Sequence, residues 1–189
     1  MRRLPNLICG LRLALAPVCG VAIMEGRFAT ALGWFMLAGF TDFADGYLAR
    51  RFNWQSKLGA IFDPLADKAL MAAAFIALGA AGVIGWWLVA LVFGRDVLIL
   101  LGAAVIASRA KIRAFPPSWY GKVSTTIQIV SVTVFIAVAA GYLPDWLKQA
   151  GIVATVGGTL VSGFDYAHQG WAMLASPGNR RPSPPGTGR

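Results

Sequence analysis

Asp42-Phe43-Ala44-Asp45-Gly46-Tyr47-Leu48-Ala49-Arg50, followed by Gly59-Ala60-Ile61-Phe62-Asp63-Pro64-Leu65-Ala66-Asp67, sets four carboxylates at fixed spacing with glycine, alanine and arginine between them. Asp42 and Asp45 stand at i and i+3 and Asp63 and Asp67 at i and i+4, so on helices each pair shares a face. The short link from Arg51 to Leu58 makes the two helices antiparallel neighbours in this reading and brings both pairs to one depth.

Outward from that stretch the chain reads as membrane. It is 57% hydrophobic with a mean hydropathy of +0.64. Apolar runs recur at roughly 6–24, 28–50, 60–82, 84–107, 120–142 and 150–174, most of them near the ~20 residues that cross a bilayer. This argues against a soluble domain, and the absence of alternating strand patterns argues against a barrel, because backbone in lipid must satisfy its own hydrogen bonds. The expected fold is an all-α integral membrane protein, a six-transmembrane-helix bundle in one domain over residues 1–175. No internal repeat is evident. Ser176 to Arg189, rich in Pro, Gly and Arg, reads as a flexible cytoplasmic tail.

Lys and Arg outnumber Asp and Glu by 17 to 8. Arg2, Arg3, Arg50, Arg51, Lys57, Arg109, Lys111, Arg113, Lys122, Arg180 and Arg181 fall at helix ends that share one side, and the opposite turns hold only Arg27 and Lys148. The positive-inside rule then makes both termini and the 50–59 and 108–121 connections cytoplasmic. The basic residues are scattered over membrane flanks without an aromatic-basic module, so membrane lipids and not nucleic acid are the expected partners. Cys9 and Cys19 would lie about 15 Å apart along one helix, too far to bridge. The N-terminus lacks an evident cleavage site, and without an Arg-rich, Ser-rich transit segment the expected location is a bacterial inner membrane.

Four ionised carboxylates near a bilayer repel one another and are costly to desolvate, and a divalent cation is the natural compensation. Oxygen-only ligands favour Mg²⁺ or Mn²⁺, with Ca²⁺ allowed by ligand type alone. Such a site suits phosphoryl chemistry, where a free carboxylate takes the proton of an attacking hydroxyl. Gly46 and Gly59 permit close approach of a nucleotide or a helix backbone, and Arg50 offers a fork of donors to phosphate. The bland alternative is a structural charge network with Arg50, Arg51, Lys57 and Lys68.

The spacing D-x2-D-G-x2-A-R-x8-G-x3-D-x3-D resembles the signature of the CDP-alcohol phosphatidyltransferases at every specified position, and the resemblance covers all but the tail. It implies transfer of a phosphatidyl group from CDP-diacylglycerol to an alcohol with release of CMP, in phospholipid biosynthesis. By position it implies that Asp42, Asp45 and Asp63 are metal ligands, that Asp67 is the general base and a further ligand, and that Gly46, Ala49, Arg50 and Gly59 line the CDP site.

Two subfamilies differ in acceptor. Pro5, Asn6, Leu7 and Arg12 resemble a first-helix pattern of both, with Cys9 where Thr is usual, and Gly121, Lys122, Val123, Thr125 and Gln128 resemble a fifth-helix pattern of both. Gly94, Arg95, Asp96 and Val97 resemble the cardiolipin synthases of eukaryotic type, which use phosphatidylglycerol. The phosphatidylglycerophosphate synthases, which use glycerol 3-phosphate, more often carry a second Arg where this chain has Ala103. A dianionic acceptor wants additional cations, so phosphatidylglycerol is the expected acceptor and glycerol 3-phosphate the alternative.

Arg95 and Lys122 are candidates for an acceptor or donor phosphate, against the plainer readings of neutralisation inside the bundle and of an ordinary flanking charge. Asp165 and His168, at i and i+3, read as a structural pair or a helix end more readily than as part of a site. Trp34, Trp86, Trp87, Trp146 and Trp171 read as interfacial or packing aromatics, and Gly79, Gly82, Gly157 and Gly158 as helix contacts or turns. A homodimer is compatible with the pattern. A cation transporter using the acidic cluster is the alternative of another class; it wants acidic or polar groups along a path, and the outer halves of these two helices carry no acid.

Overall fold

The apolar runs fold as helices whose ends are set by glycine and proline. The computed structural model describes residues 4–52, 59–110 and 119–175, with side chains over 10, 13–41, 68–102 and 119–168. Six helices are described: α1 Leu4–Met24, α2 Phe28–Phe52, α3 Gly59–Ala80, α4 Trp86–Ala110, α5 Trp119–Ala139 and α6 Trp146–Ala175. Strands are absent among the described residues.

Three tight turns join them into hairpins, α1 to α2, α3 to α4 and α5 to α6. Each opens on a glycine with positive φ, Gly26 at 73°, Gly82 at 72° and Gly141 at 78°, a conformation a side chain would strain. The same hydrogen-bond pair closes all three odd-numbered helices. Gly26 N–H donates to the Ile23 carbonyl (3.0 Å) and Arg27 N–H to that of Ala22 (2.9 Å). Gly82 and Val83 do likewise to Gly79 and Leu78, and Gly141 and Tyr142 to Val138 and Ala137. This is the Schellman stop, which satisfies carbonyls that the helix end would leave orphaned. It ends α5 before residue 142, where the apolar run alone would carry it. α6 starts at Trp146, earlier than its apolar run, with Leu147 and Lys148 N–H donating to the Pro144 and Asp145 carbonyls at 3.1 and 3.0 Å.

Packing makes a ring. α1 lies against α2 and α3, α3 against α4, α4 against α6, α6 against α5 and α5 against α2, with α3 also touching α5. Among the described residues, both aspartate-bearing helices pack on α1, and both also touch α5. Small residues allow that approach: a Cβ built on Gly20 would meet the Ala73 carbonyl oxygen at 3.7 Å and the Ala77 Cβ at 3.9 Å. Helices in lipid pack chiefly through such small-residue contacts. Cys19 is fully buried beside them as a free thiol, its Sγ 3.6 Å from the Ala31 carbonyl oxygen. Phe35, Phe75, Leu78, Leu88, Phe135 and Ile136 fill the shared core.

Large apolar side chains also cover much of the described outside. Phe40, Leu98, Val153 and Phe164 are at least 70% exposed, and Leu100, Leu101, Val130 and Val161 more than half exposed. Exposed apolar surface on this scale marks a lipid or partner contact. Among the described residues, one helix, Trp119–Ala139, is long and apolar enough to cross a membrane, rising about 30 Å. Leu13–Met24, Phe28–Thr41 and Lys68–Ala80 are shorter apolar helices. Trp86, Trp87, Tyr142 and Trp146 stand exposed beside the hairpin turns, where an aromatic belt belongs, and Trp34 lies on α2, partly exposed.

Candidate functional site

Among the described residues, α2, α3, α4, α5 and α6 line a cavity of about 700 Å³. Most of its described wall is apolar, including Phe35, Met71, Phe75, Phe93 and Ile129, and the charges among the described lining residues are Lys68, Arg95, Asp96 and Lys122. Ala38 and Gly39 bring α2 to the wall one turn before Asp42, and Lys68 brings α3 to it immediately after Asp67. The backbone therefore sets both aspartate-bearing segments at the end of α2 and the start of α3 that adjoin this cavity.

The side chains of Asp42, Asp45, Gly46, Ala49, Arg50, Asp63 and Asp67 lie outside the described residues, as do Gly59 beyond its place at the head of α3, the link 53–58, and the side chains of Pro5, Asn6, Leu7, Cys9, Arg12, Ala103 and Trp171. Among the described residues no group of three metal-ligating side chains occurs, so no other described cluster competes with the aspartates for a cation. The fit of a hard divalent ion rests on that backbone juxtaposition and on an all-oxygen donor set. Lys68, one of the four basic residues of the charge-network reading, reaches α4: its Nζ is 3.9 Å from Asp96 Oδ2.

Arg95 is held from three directions. Its Nη1 donates to Asp96 Oδ1 at 2.7 Å, its Nη2 donates to Ser162 Oγ, and its guanidinium carbon stands 5.7 Å from the centre of the Tyr166 ring. Its side chain is 13% exposed, and Nε remains buried without an acceptor. Asp96 thus accounts for one edge of the guanidinium of a residue that lines the cavity. Lys122 is exposed in the first turn of α5, without an ion-pair partner among the described residues, and lines the same cavity. The structure therefore brings Arg95 and Lys122 together, with Lys68 as a third cation. Asp165 and His168 do not line the cavity; Asp165 is half-buried and His168 exposed on α6.

Sequence reasoning missed Ser162 and Tyr166. The signal was present: Thr155, Thr159, Ser162 and Tyr166 recur at i, i+4, i+7 and i+11 on α6, and Ser124, Gln128 and Ser131 at i, i+4 and i+7 on α5. Except for Tyr166 all of these are buried, forming a polar seam between the two helices. Ser131 Oγ donates to the Gly151 carbonyl at 3.2 Å. Ser124 Oγ, Gln128 Nε2, Thr155 Oγ1 and Thr159 Oγ1 lack partners. Each such group costs on the order of 1–3 kcal/mol when left unsatisfied.

The described cavity combines an apolar wall with cations, a lining suited to anionic, lipid-like molecules. The chain matches the sequence model of the CDP-alcohol phosphatidyltransferase family over residues 2–161, and it belongs to that family. The family is membrane-bound.

The chain is 34% identical to the rat (Rattus norvegicus) cardiolipin synthase (CMP-forming) and 33% to the human (Homo sapiens) one, each over 186 residues, with 88% of this chain and 61% of each relative covered. It therefore spans about three fifths of the length of these two relatives. It is also 32% identical over 172 residues to a probable phosphatidylglycerophosphate synthase of Mycobacterium tuberculosis (strain ATCC 25618 / H37Rv), covering 86% of this chain and 79% of that one.

Proposed function

We propose that this protein transfers a phosphatidyl group from CDP-diacylglycerol to the hydroxyl of phosphatidylglycerol, releasing CMP and forming cardiolipin. The observation that carries the reading is the cavity itself: Lys68, Arg95 and Lys122 supply cations, and the rest of the wall is apolar enough to hold acyl chains. With glycerol 3-phosphate as acceptor, only the donor's acyl chains would lie against that wall. The glycerol 3-phosphate dianion would also compete with Asp96 for the Arg95 guanidinium. A phosphodiester carries one charge and needs fewer fixed cations. The similarity to a probable phosphatidylglycerophosphate synthase keeps glycerol 3-phosphate as the second reading.

Asp42, Asp45, Asp63 and Asp67 would hold Mg²⁺ or Mn²⁺, which when bound neutralises phosphate oxygens of the donor. Gly46, Ala49, Arg50 and Gly59 bind the CDP moiety, with Arg50 as a fork of donors to phosphate. Asp67 takes the proton of the acceptor hydroxyl as its oxygen bonds to the β-phosphorus and the bond from that phosphorus to the CMP oxygen breaks. Lys122 and Arg95 orient the acceptor phosphate. The active site faces the cytoplasmic side of a bacterial inner membrane, and the family's divalent-metal dependence supports the ligand assignment.

The test is CMP release by the purified chain with CDP-diacylglycerol and Mg²⁺ or Mn²⁺, with phosphatidylglycerol and glycerol 3-phosphate offered separately. Cardiolipin from phosphatidylglycerol alone supports the proposal. Phosphatidylglycerophosphate from glycerol 3-phosphate transfers it to the second reading.

A further inference from the structure

We infer that Gln128 is a specificity-determining residue whose carboxamide N–H donates to an ester carbonyl of the diacylglycerol lipid in the cavity. The inference rests on the phosphatidyltransferase reading and extends it from the headgroup to the acyl linkage. Gln128 is 6% exposed, lines the cavity, and its Nε2 has no acceptor. Thr125, Thr126 and Thr133 on the same helix satisfy themselves on the carbonyls of Gly121, Lys122 and Ile129, at 3.0, 3.1 and 3.0 Å. Gln128 has no such bond, and its amide is left for an oxygen that the protein does not supply.

Depth says which oxygen. Gln128 lies about 9 Å further along α5 than Lys122. Ser131 meets Gly151 and Ser124 meets Gly158, a register that sets Gln128 level with Thr155. That is two turns of α6 below Ser162, where the Arg95 guanidinium is held. A phosphate at Arg95 and Lys122 leaves Gln128 on its acyl side, where Phe35, Phe75 and Ile129 also line the cavity. Charge is expensive there, so the partner of the amide is a neutral oxygen that accepts. In a diacyl lipid that oxygen is the ester carbonyl.

Donor and acceptor lipids both carry such carbonyls, and the experiment separates them. The full chain in detergent micelles is titrated with phosphatidylglycerol bearing two ester-linked chains and with its diether counterpart, followed by thermal stabilisation and by CMP release. A second pair compares ester and diether forms of the CDP-lipid donor. Wild type is expected to half-saturate at roughly five- to tenfold lower ester lipid in one of the pairs, which identifies the lipid read. Gln128→Met, which keeps length and removes the amide, should erase that preference.

Equal half-saturation by both forms in both pairs, or no stabilisation by any of the lipids, overturns the inference on wild type alone, whether or not the variant folds. A preference retained by Gln128→Met overturns it too. An ester preference in binding without CMP release would sink the transferase reading and leave the amide assignment standing, and CMP release without preference would do the reverse.

Discussion

Arg95 shows how one side chain acquires a task from its neighbours. Asp96, Ser162 and Tyr166 fix the guanidinium, and only a planar fork can serve that carboxylate and that hydroxyl together. Arg95→Lys should therefore lower kcat/KM for the acceptor roughly ten- to hundredfold, the worth of a charged hydrogen bond, and leave CDP-diacylglycerol binding nearly unchanged. Equal losses for both lipids would show that Arg95 serves the bundle and not the acceptor. The aspartates divide differently. Asp67→Asn keeps shape and removes the base, so turnover should fall by roughly 10²–10⁴-fold while donor binding persists; wild-type turnover would end the base assignment. Asp42→Ala should raise the metal needed for half-activity on the order of 10–100-fold, since a ligand matters at least as much as its outer partners. An unchanged metal titration removes Asp42 from the ligand set.

At the scale of elements, close helix contact and open helix surface give glycine opposite roles. A Cβ on Gly151 of α6 would stand 2.8 Å from Cε1 of Phe135, a fully buried ring, whereas one on Gly157 meets nothing within 4 Å. Gly151→Ala should lower Tm, because overpacking costs about 1–3 kcal/mol against a helix gain of about 0.5–1 kcal/mol. Gly157→Ala should raise Tm slightly; the same sign at both positions in thermal unfolding would refute the contact. From sequence alone Gly157 reads as a contact or turn, together with Gly79, Gly82 and Gly158. Gly82 does turn, Gly79 faces Val89 and Gly158 faces Ile127, but Gly157 faces open space. Hydropathy showed the helices because length and apolarity are properties of single segments. The ring order of the helices, and the pairing of Arg95 with Ser162 across 67 positions, are properties of packing that one segment does not carry.

For the whole molecule, the three hairpin turns share one architecture and carry little net charge. At the first of them Arg27 pairs with Glu25, so its cation is neutralised locally, and the turn at 81–85 has no charged residue. Lys148 stands near Asp145 beyond the third. In the sequence the connections that hold Arg50, Arg51, Lys57, Arg109, Lys111 and Arg113 are expected on the opposite side, together with the aspartates. If six spans thread the bilayer with both termini cytoplasmic, the uncharged turns face outward and phosphoryl transfer faces the compartment that supplies the nucleotide-activated donor. In a background carrying Cys9→Ala and Cys19→Ala, Tyr142→Cys should react with a membrane-impermeant maleimide added to intact cells, since Tyr142 is 64% exposed beside the third turn. Ser56→Cys should react only after the membrane is opened. The reverse pattern would put the aspartates outside, and labelling of both in intact cells would mean that the charged connection and the turn lie on one face.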